Sequence, residues 1–275
     1  MEEQIKSWLL ANGELYQYWF YFGTLAILIL LERAIPKRLN TVHKKQRWVA
    51  NFGLTILNIL FMGLQPVNFI MAATFAGEQH WGLLNQLTSP LVVVLVLSLL
   101  LRGFISFFTH WMMHRVPFLW RIHRVHHLDK ELDVSSTVRF HPLEFYVNTL
   151  VGVPMVVLFG LSPWVLLGYE LLDVLVTLWS HANICLPRKL NGWLRYIIVT
   201  PDLHRIHHSS YQPETDSNFG AVFPIWDILF HTYRTKTREP QEKMEIGLEE
   251  VRDERTEHVG WLLLSPFKNI KQKKL

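Results

Sequence analysis

Leu91-Val-Val-Val-Leu-Val-Leu-Ser-Leu-Leu-Leu-Arg102-Gly-Phe-Ile-Ser106-Phe-Phe-Thr-His110-Trp-Met-Met-His114 joins an apolar run to a pair of histidines. A transmembrane helix needs about 20 mostly apolar residues, and the part from Leu91 to Phe108 comes close to that length. Residues four apart share one face of a helix, so His110 and His114 stand together at the end of the run. The same stripe continues back through Ser106 and Arg102. One helix therefore carries both a membrane span and a pair of metal-competent side chains. Arg102 has two readings, a side chain that snorkels to the interface or a cation inside a bundle.

Working outward, Trp19 to Ile35 is a second span, opened by Tyr16, Tyr18, Trp19 and Tyr21 and closed by Glu32, Arg33 and Pro36. Val49 to Ala76 is long enough to span with tilt or with a kink near Pro66. From Phe145 to Ile184 the chain suits a hairpin of two spans turning at Phe159-Gly-Leu-Ser-Pro163. The expected fold is all-α, an integral membrane helical bundle of about four to five spans. Residues 1–90 hold N-terminal spans, 91–240 the histidine-bearing domain and 241–275 a cytosolic tail.

Composition agrees. Of 275 residues, 50% are hydrophobic and 18% charged, which argues against a soluble globule. Cys185 is alone, excluding an internal disulfide and a Cys-ligated metal site. The net charge of +4 suits anionic lipid, and no basic-aromatic nucleic-acid module accompanies it. The segment before the first span has only Lys6, whereas the next loop has Arg33, Lys37, Arg38, Lys44, Lys45 and Arg47. The positive-inside rule then places that loop, the histidine clusters and Lys274 in the cytoplasm. The Met-Glu-Glu start and the missing cleavage pattern argue against a secretory signal.

Ten of 14 histidines lie between His110 and His208. His123-Arg-Val-His126-His127 recurs as His204-Arg-Ile-His207-His208, and offsets of three and four place the first histidine of each triplet beside both later ones. Each triplet can serve two neighbouring ions. His141, in Arg139-Phe-His-Pro-Leu-Glu144, reads as a further ligand ahead of a helix-start role. His181 ends a stripe with Glu170, Asp173 and Thr177. It reads as a ligand, with Asp173 as the outer partner that fixes an imidazole tautomer, against a purely structural polar network. Zinc hydrolysis needs fewer ligands and normally a general-base Glu in HExxH, which is absent. Oxygen-preferring ions do not suit imidazoles, so a pair of iron ions is the natural candidate. A metal transporter would want ligands near the midplane of broken helices rather than beyond span ends.

These motifs, with Ser180-His-Ala-Asn183 and Asn218-Phe-Gly220 in the same order, resemble the fatty acid hydroxylase/sterol desaturase superfamily from roughly Leu91 to Tyr233. The resemblance implies a di-iron enzyme of a bacterial inner membrane, with residues 91–240 as its catalytic domain and a cytosolic helical cap over a histidine-rich di-metal site whose ligands are His110, His114, His123, His126, His127, His141, His181, His204, His207 and His208. It places Asn218 beside them and implies no catalytic group beyond the ligands. It also implies oxygen-dependent hydroxylation or desaturation of an unactivated C–H bond in a fatty acyl, alkyl-glycerol, sterol or related lipid. Electrons would come from a separate reductase, ferredoxin or cytochrome. Thr177 stands where some members carry a further histidine. His231 stands where the family usually has glycine, and reads as a turn substitution ahead of an added ligand.

Overall fold

The computed structural model describes residues 2–39 and 44–270, with side chains from Tyr18 onward. The side chains of Lys6 and Tyr16, and all of Lys274, lie outside the described residues. Regular structure in the described part is helical. Helices α1 (Glu2–Ala34), α2 (Lys44–Met62), α3 (Phe69–Glu78) and α4 (Leu91–Arg115) are followed by α5 (Pro117–His127), α6 (Pro142–Phe159), α7 (Pro163–His181), α8 (Arg188–Leu194) and α9 (Pro201–His207). Among the described residues, α4, α6 and α7 are long and apolar enough to cross a membrane.

The α6–α7 hairpin follows from its turn chemistry. Gly160 ends α6 in the left-handed region at φ +66°, and its N–H reaches the carbonyl of Val156 at 2.9 Å. A Cβ there would come within 3.0 Å of the Trp81 carbonyl, so only glycine fits both the dihedral and the space. Pro163 then opens α7 at a position whose N–H has no helical acceptor.

The window from Val49 to Ala76 is not one span. Gly63 to Asn68 separates α2 from α3, and the Asn68 side chain caps α3 by accepting from the Met71 N–H at 2.8 Å. Pro66 lacks the N–H that a continuous helix would need. α2 also turns Arg47, Asn51 and Asn58 inward with Ala50 and Leu54, a face built to meet a polar layer. The short α3 packs Ala72 and Ala73 against Ile105 of α4 and Val156 of α6, small residues permitting close approach.

Arg102 lies inside the bundle, 5% exposed, with its Nη2 2.9 Å from Glu170 Oε1 and its Nη1 on Ser106 Oγ. Pairing with α7 is what makes a cation bearable there.

Over the ends of α4 and α7 sits a cap made from α5, the loop 128–141, α9 and the C-terminal segment. Residues 244–270 lie across α2 and α5, burying Val251 and Leu262 with Ala50, Leu54, Val125 and Leu128. Arg47 joins α2 to the loop after α5 through Asp129 (Nε–Oδ1 2.6 Å) and Asp133 (Nη1–Oδ2 3.2 Å). Burial pushes the Asp129 carboxyl up, but the charges of Arg47 and Arg139 outweigh it and hold the group well below its ordinary value.

Candidate metal centre

Nine histidines converge beneath the cap, in two adjoining groups. His110, His114, His123, His127 and His207 form one, and His126, His181, His204 and His208 the other; within each, the prospective ligand atoms all lie within 4.8 Å of one another. α4 contributes His110 and His114, α7 contributes His181, and the two triplets ride on α5 and α9. Pro117 and Pro201 open these short helices, and the Thr200 hydroxyl caps α9 by accepting from the Leu203 N–H. Helical periodicity splits each triplet. The pair four apart, His123 with His127 or His204 with His208, enters one group, while the residue at offset three, His126 or His207, crosses to the other.

Hydrogen bonds at the outer nitrogens set the ring orientation. His110 Nδ1 lies 2.8 Å from the Phe219 carbonyl, His207 Nδ1 2.8 Å from the Ser217 carbonyl, His181 Nδ1 2.8 Å from the Thr177 carbonyl and His123 Nδ1 2.9 Å from Glu144 Oε1. A carbonyl oxygen only accepts, and so does an ionised carboxylate, so each of these rings carries its proton on Nδ1. The Nε2 lone pairs then point inward. His110 Nε2 stands 3.0 Å from His123 Nε2, a contact between two acceptors that cannot be a hydrogen bond in neutral rings. Similar Nε2–Nε2 spacings recur at His123–His127 (3.2 Å), His126–His181 (3.1 Å), His181–His204 (3.0 Å) and His204–His208 (3.1 Å). Imidazole nitrogens about 2.1 Å from one ion and at right angles about it would be about 3.0 Å apart. The buried Nε2 atoms of His114 and His207 have no hydrogen-bond partner. The donor set thus fits a cation that accepts many nitrogen ligands.

Charge supports the same reading. Burial, then the neighbouring imidazoles, pushes His126, His127, His204 and His208 well below the usual histidine value, and burial leads in taking His207 to about 3. All five are neutral at pH 7, the form that binds metal.

Three expected site residues lie elsewhere. His141 stands outside both groups because its ring is occupied as a helix start: Nδ1 accepts from the Leu143 N–H at 3.2 Å, and Nε2 donates to the Leu263 carbonyl at 3.1 Å. Asp173 lies two helical turns before His181, about 12 Å along the axis, near Arg102 and Glu170. Its Oδ1 has no hydrogen-bond partner among the described residues, and the Thr177 carbonyl fills the role expected of it at His181. The side-chain hydrogen bonds of Asn218 go to backbone groups and not to an imidazole. At φ +55° it binds the Leu203 and Arg234 carbonyls and the Arg234 N–H, bracing the loop whose Ser217 and Phe219 carbonyls orient His207 and His110. Asp227 completes that brace by accepting from the Phe219 and Gly220 N–H groups at 2.7 and 2.8 Å. His231 belongs to neither group and sits at φ +58°, a conformation that explains glycine at this turn.

Sequence reasoning missed Glu144 as the partner of His123. Its signal was present, since Pro142 starts α6 and thereby sets Glu144 in the first turn facing α5. From this placement, Asp173→Asn is expected to leave metal content unchanged by elemental analysis; a tenfold loss would restore Asp173 to the metal's surroundings.

Apolar helices of membrane-spanning length with buried histidines gathered at their ends define a class of membrane proteins whose side chains could hold metal ions. The fatty acid hydroxylase family model matches residues 95–232, and the chain belongs to that family. It is 27% identical over 237 residues to an ornithine lipid hydroxylase of Rhizobium tropici, covering 82% of this chain and 70% of that protein. To the alkylglycerol monooxygenase of Homo sapiens it is 28% identical over 139 residues, 50% of this chain and 29% of that one. A very-long-chain aldehyde decarbonylase of Oryza sativa subsp. indica is 28% identical over 249 residues, 86% of this chain and 38% of that one. No solved structure matches. The chain is a membrane-associated oxidoreductase.

Proposed function

We propose that the nine converging histidines hold two iron ions and that the enzyme uses molecular oxygen to hydroxylate an unactivated C–H bond of a membrane lipid. The observation that carries this reading is the set of inward Nε2 lone pairs about 3 Å apart. The reaction balances as R–H plus O2 plus two electrons and two protons giving R–OH and water; removal of a second hydrogen from the neighbouring carbon instead would give, from the same inputs, an alkene and two waters. Bound iron supplies the redox chemistry. The chain's residues supply a dry enclosure, tautomers fixed by Glu144 and the Ser217, Phe219 and Thr177 carbonyls, and a site at the ends of α4 and α7 that a lipid tail in the bilayer can reach.

A glycerol- or amino-acid-headed lipid with long alkyl or acyl chains is the substrate class, in keeping with the relatives' names. The Lys and Arg bias turns the centre to the cytoplasm, where a separate reductase, ferredoxin or cytochrome can deliver the electrons. The test is elemental analysis of purified protein followed by turnover of membrane lipids with isotope-labelled oxygen and a chemical reductant. The expected result is about two irons per chain and one labelled oxygen atom in the product. Equal turnover by a zinc-loaded, iron-free preparation would overturn the proposal.

A further inference from the structure

The two groups differ in how their rings are held. In the five-histidine group, four of the outer nitrogens have an acceptor: Phe219 O for His110, Ser217 O for His207, Glu144 Oε1 for His123 and, at a longer 3.4 Å, Asp216 Oδ1 for His114. Two of those acceptors are carboxylates. In the four-histidine group the Thr177 carbonyl anchors His181, while the Nδ1 atoms of His126, His204 and His208 are buried without a hydrogen-bond partner among the described residues. Among the described residues, no carboxylate is hydrogen-bonded to the rings of that group. Asp129 and Asp133, which follow α5, are engaged by Arg47, and one flank of the group is the Phe140 ring stacked on His126 at 4.6 Å.

Two physical consequences follow for a divalent cation. An imidazole whose outer N–H is fixed on an acceptor is already oriented and is a stronger donor, and a carboxylate acceptor adds charge that offsets the ion's own. Rings without outer partners must be ordered when the ion arrives. Five ligands also leave fewer coordination positions open than four.

We infer that the two positions are unequal: the five-histidine position fills first and holds its ion more tightly, the four-histidine position is the exchangeable one, and Glu144 is the positioning residue that sets the difference through His123. This rests on the two-ion reading above. Loss of an outer partner typically weakens metal affinity by about 10- to 100-fold, so the separation between the two steps should be at least of that order.

The experiment is a titration of the metal-free full chain, in detergent or lipid discs, with Co2+ as the spectroscopic probe and a chelator to set free-ion levels. Two binding steps at least about tenfold apart are expected, the tighter one with the spectrum of the higher-coordinate ion. Glu144→Gln should weaken the first step by about 10- to 100-fold and leave the second unchanged, and Asp216→Asn should weaken the first step by less. Asp216 is part-exposed, so its variant keeps the test alive if Glu144→Gln does not fold. Two ions bound in one step of equal affinity would overturn the inference while leaving the two-ion reading intact. So would Glu144→Gln weakening both steps alike. Binding of no ion would overturn both readings.

Discussion

His208→Ala is expected to stop turnover and to reduce the metal content from about two ions per chain toward one, while the protein still inserts in the membrane. His208 is fully buried at the C-terminal end of α9, its Nε2 3.1 Å from His204 Nε2 and its ring stacked 4.6 Å from His127 in the other group. Alanine leaves the four-histidine group with three rings, none of which has a carboxylate partner to strengthen it. The activity loss should exceed the roughly 100-fold upper range for a supporting residue. Insertion depends on the apolar lengths of α4, α6 and α7, which the change leaves alone. The control is His231→Gly, which relieves a left-handed φ at a turn outside both groups and should keep full metal content. Metal analysis and turnover on membrane-extracted protein decide the matter. Normal occupancy with normal rate in His208→Ala would remove this residue from the ligand set.

The comparison with His141 shows what spacing alone can and cannot reveal. Both residues are histidines, but His208 follows His204 at a helical offset of four, whereas His141 stands 14 residues beyond His127 and precedes a proline. Offsets of three and four are local geometry, so the division of each triplet between two groups was legible before any tertiary contact was known. Whether an isolated histidine joins the centre depends on where its helix docks, and docking is a tertiary fact. The hairpin at Gly160 was legible for the same local reason. Asp173 was misplaced because a stripe of polar residues on α7 shows which face they share but not how far along the axis their partners lie. Arg102, on α4, stood at that lower level and paired with Glu170. The window from Val49 to Ala76 failed by averaging: an apolar count conceals that Arg47, Asn51 and Asn58 recur on a single face of α2.

Arg47 carries the second large effect. In the sequence it was one more cation in a basic loop and counted only toward orientation. In the fold it is 1% exposed and holds Asp129 and Asp133, with further donors reaching the Glu131 carbonyl and Ser136 Oγ. Asn51 ties into the same cluster by donating to Asp129 and Ser135 and by accepting from Arg139 at 2.7 Å. Truncating one partner of a buried ion pair leaves an uncompensated charge and costs about 3–5 kcal/mol. Arg47→Ala takes the guanidinium from two buried carboxylates, which keep the donors Asn51, Ser136, Trp48 and Ser135 and the charge of Arg139, so a loss within that range is expected. The thermal midpoint should fall by roughly 6–20 °C on the scale of about 2–4 °C per kcal/mol for chains of 150–250 residues. Because Asp129 follows α5 by two residues, the same change should also loosen His126 and His127 and lower metal retention. Arg47→Lys, which keeps the charge but loses the bidentate fork on Asp129, should recover part of the stability. A midpoint in Arg47→Ala within a degree or two of the parent chain would mean that the cap is held by the apolar contacts of Val251 and Leu262 instead, with the buried ion pairs contributing little to them.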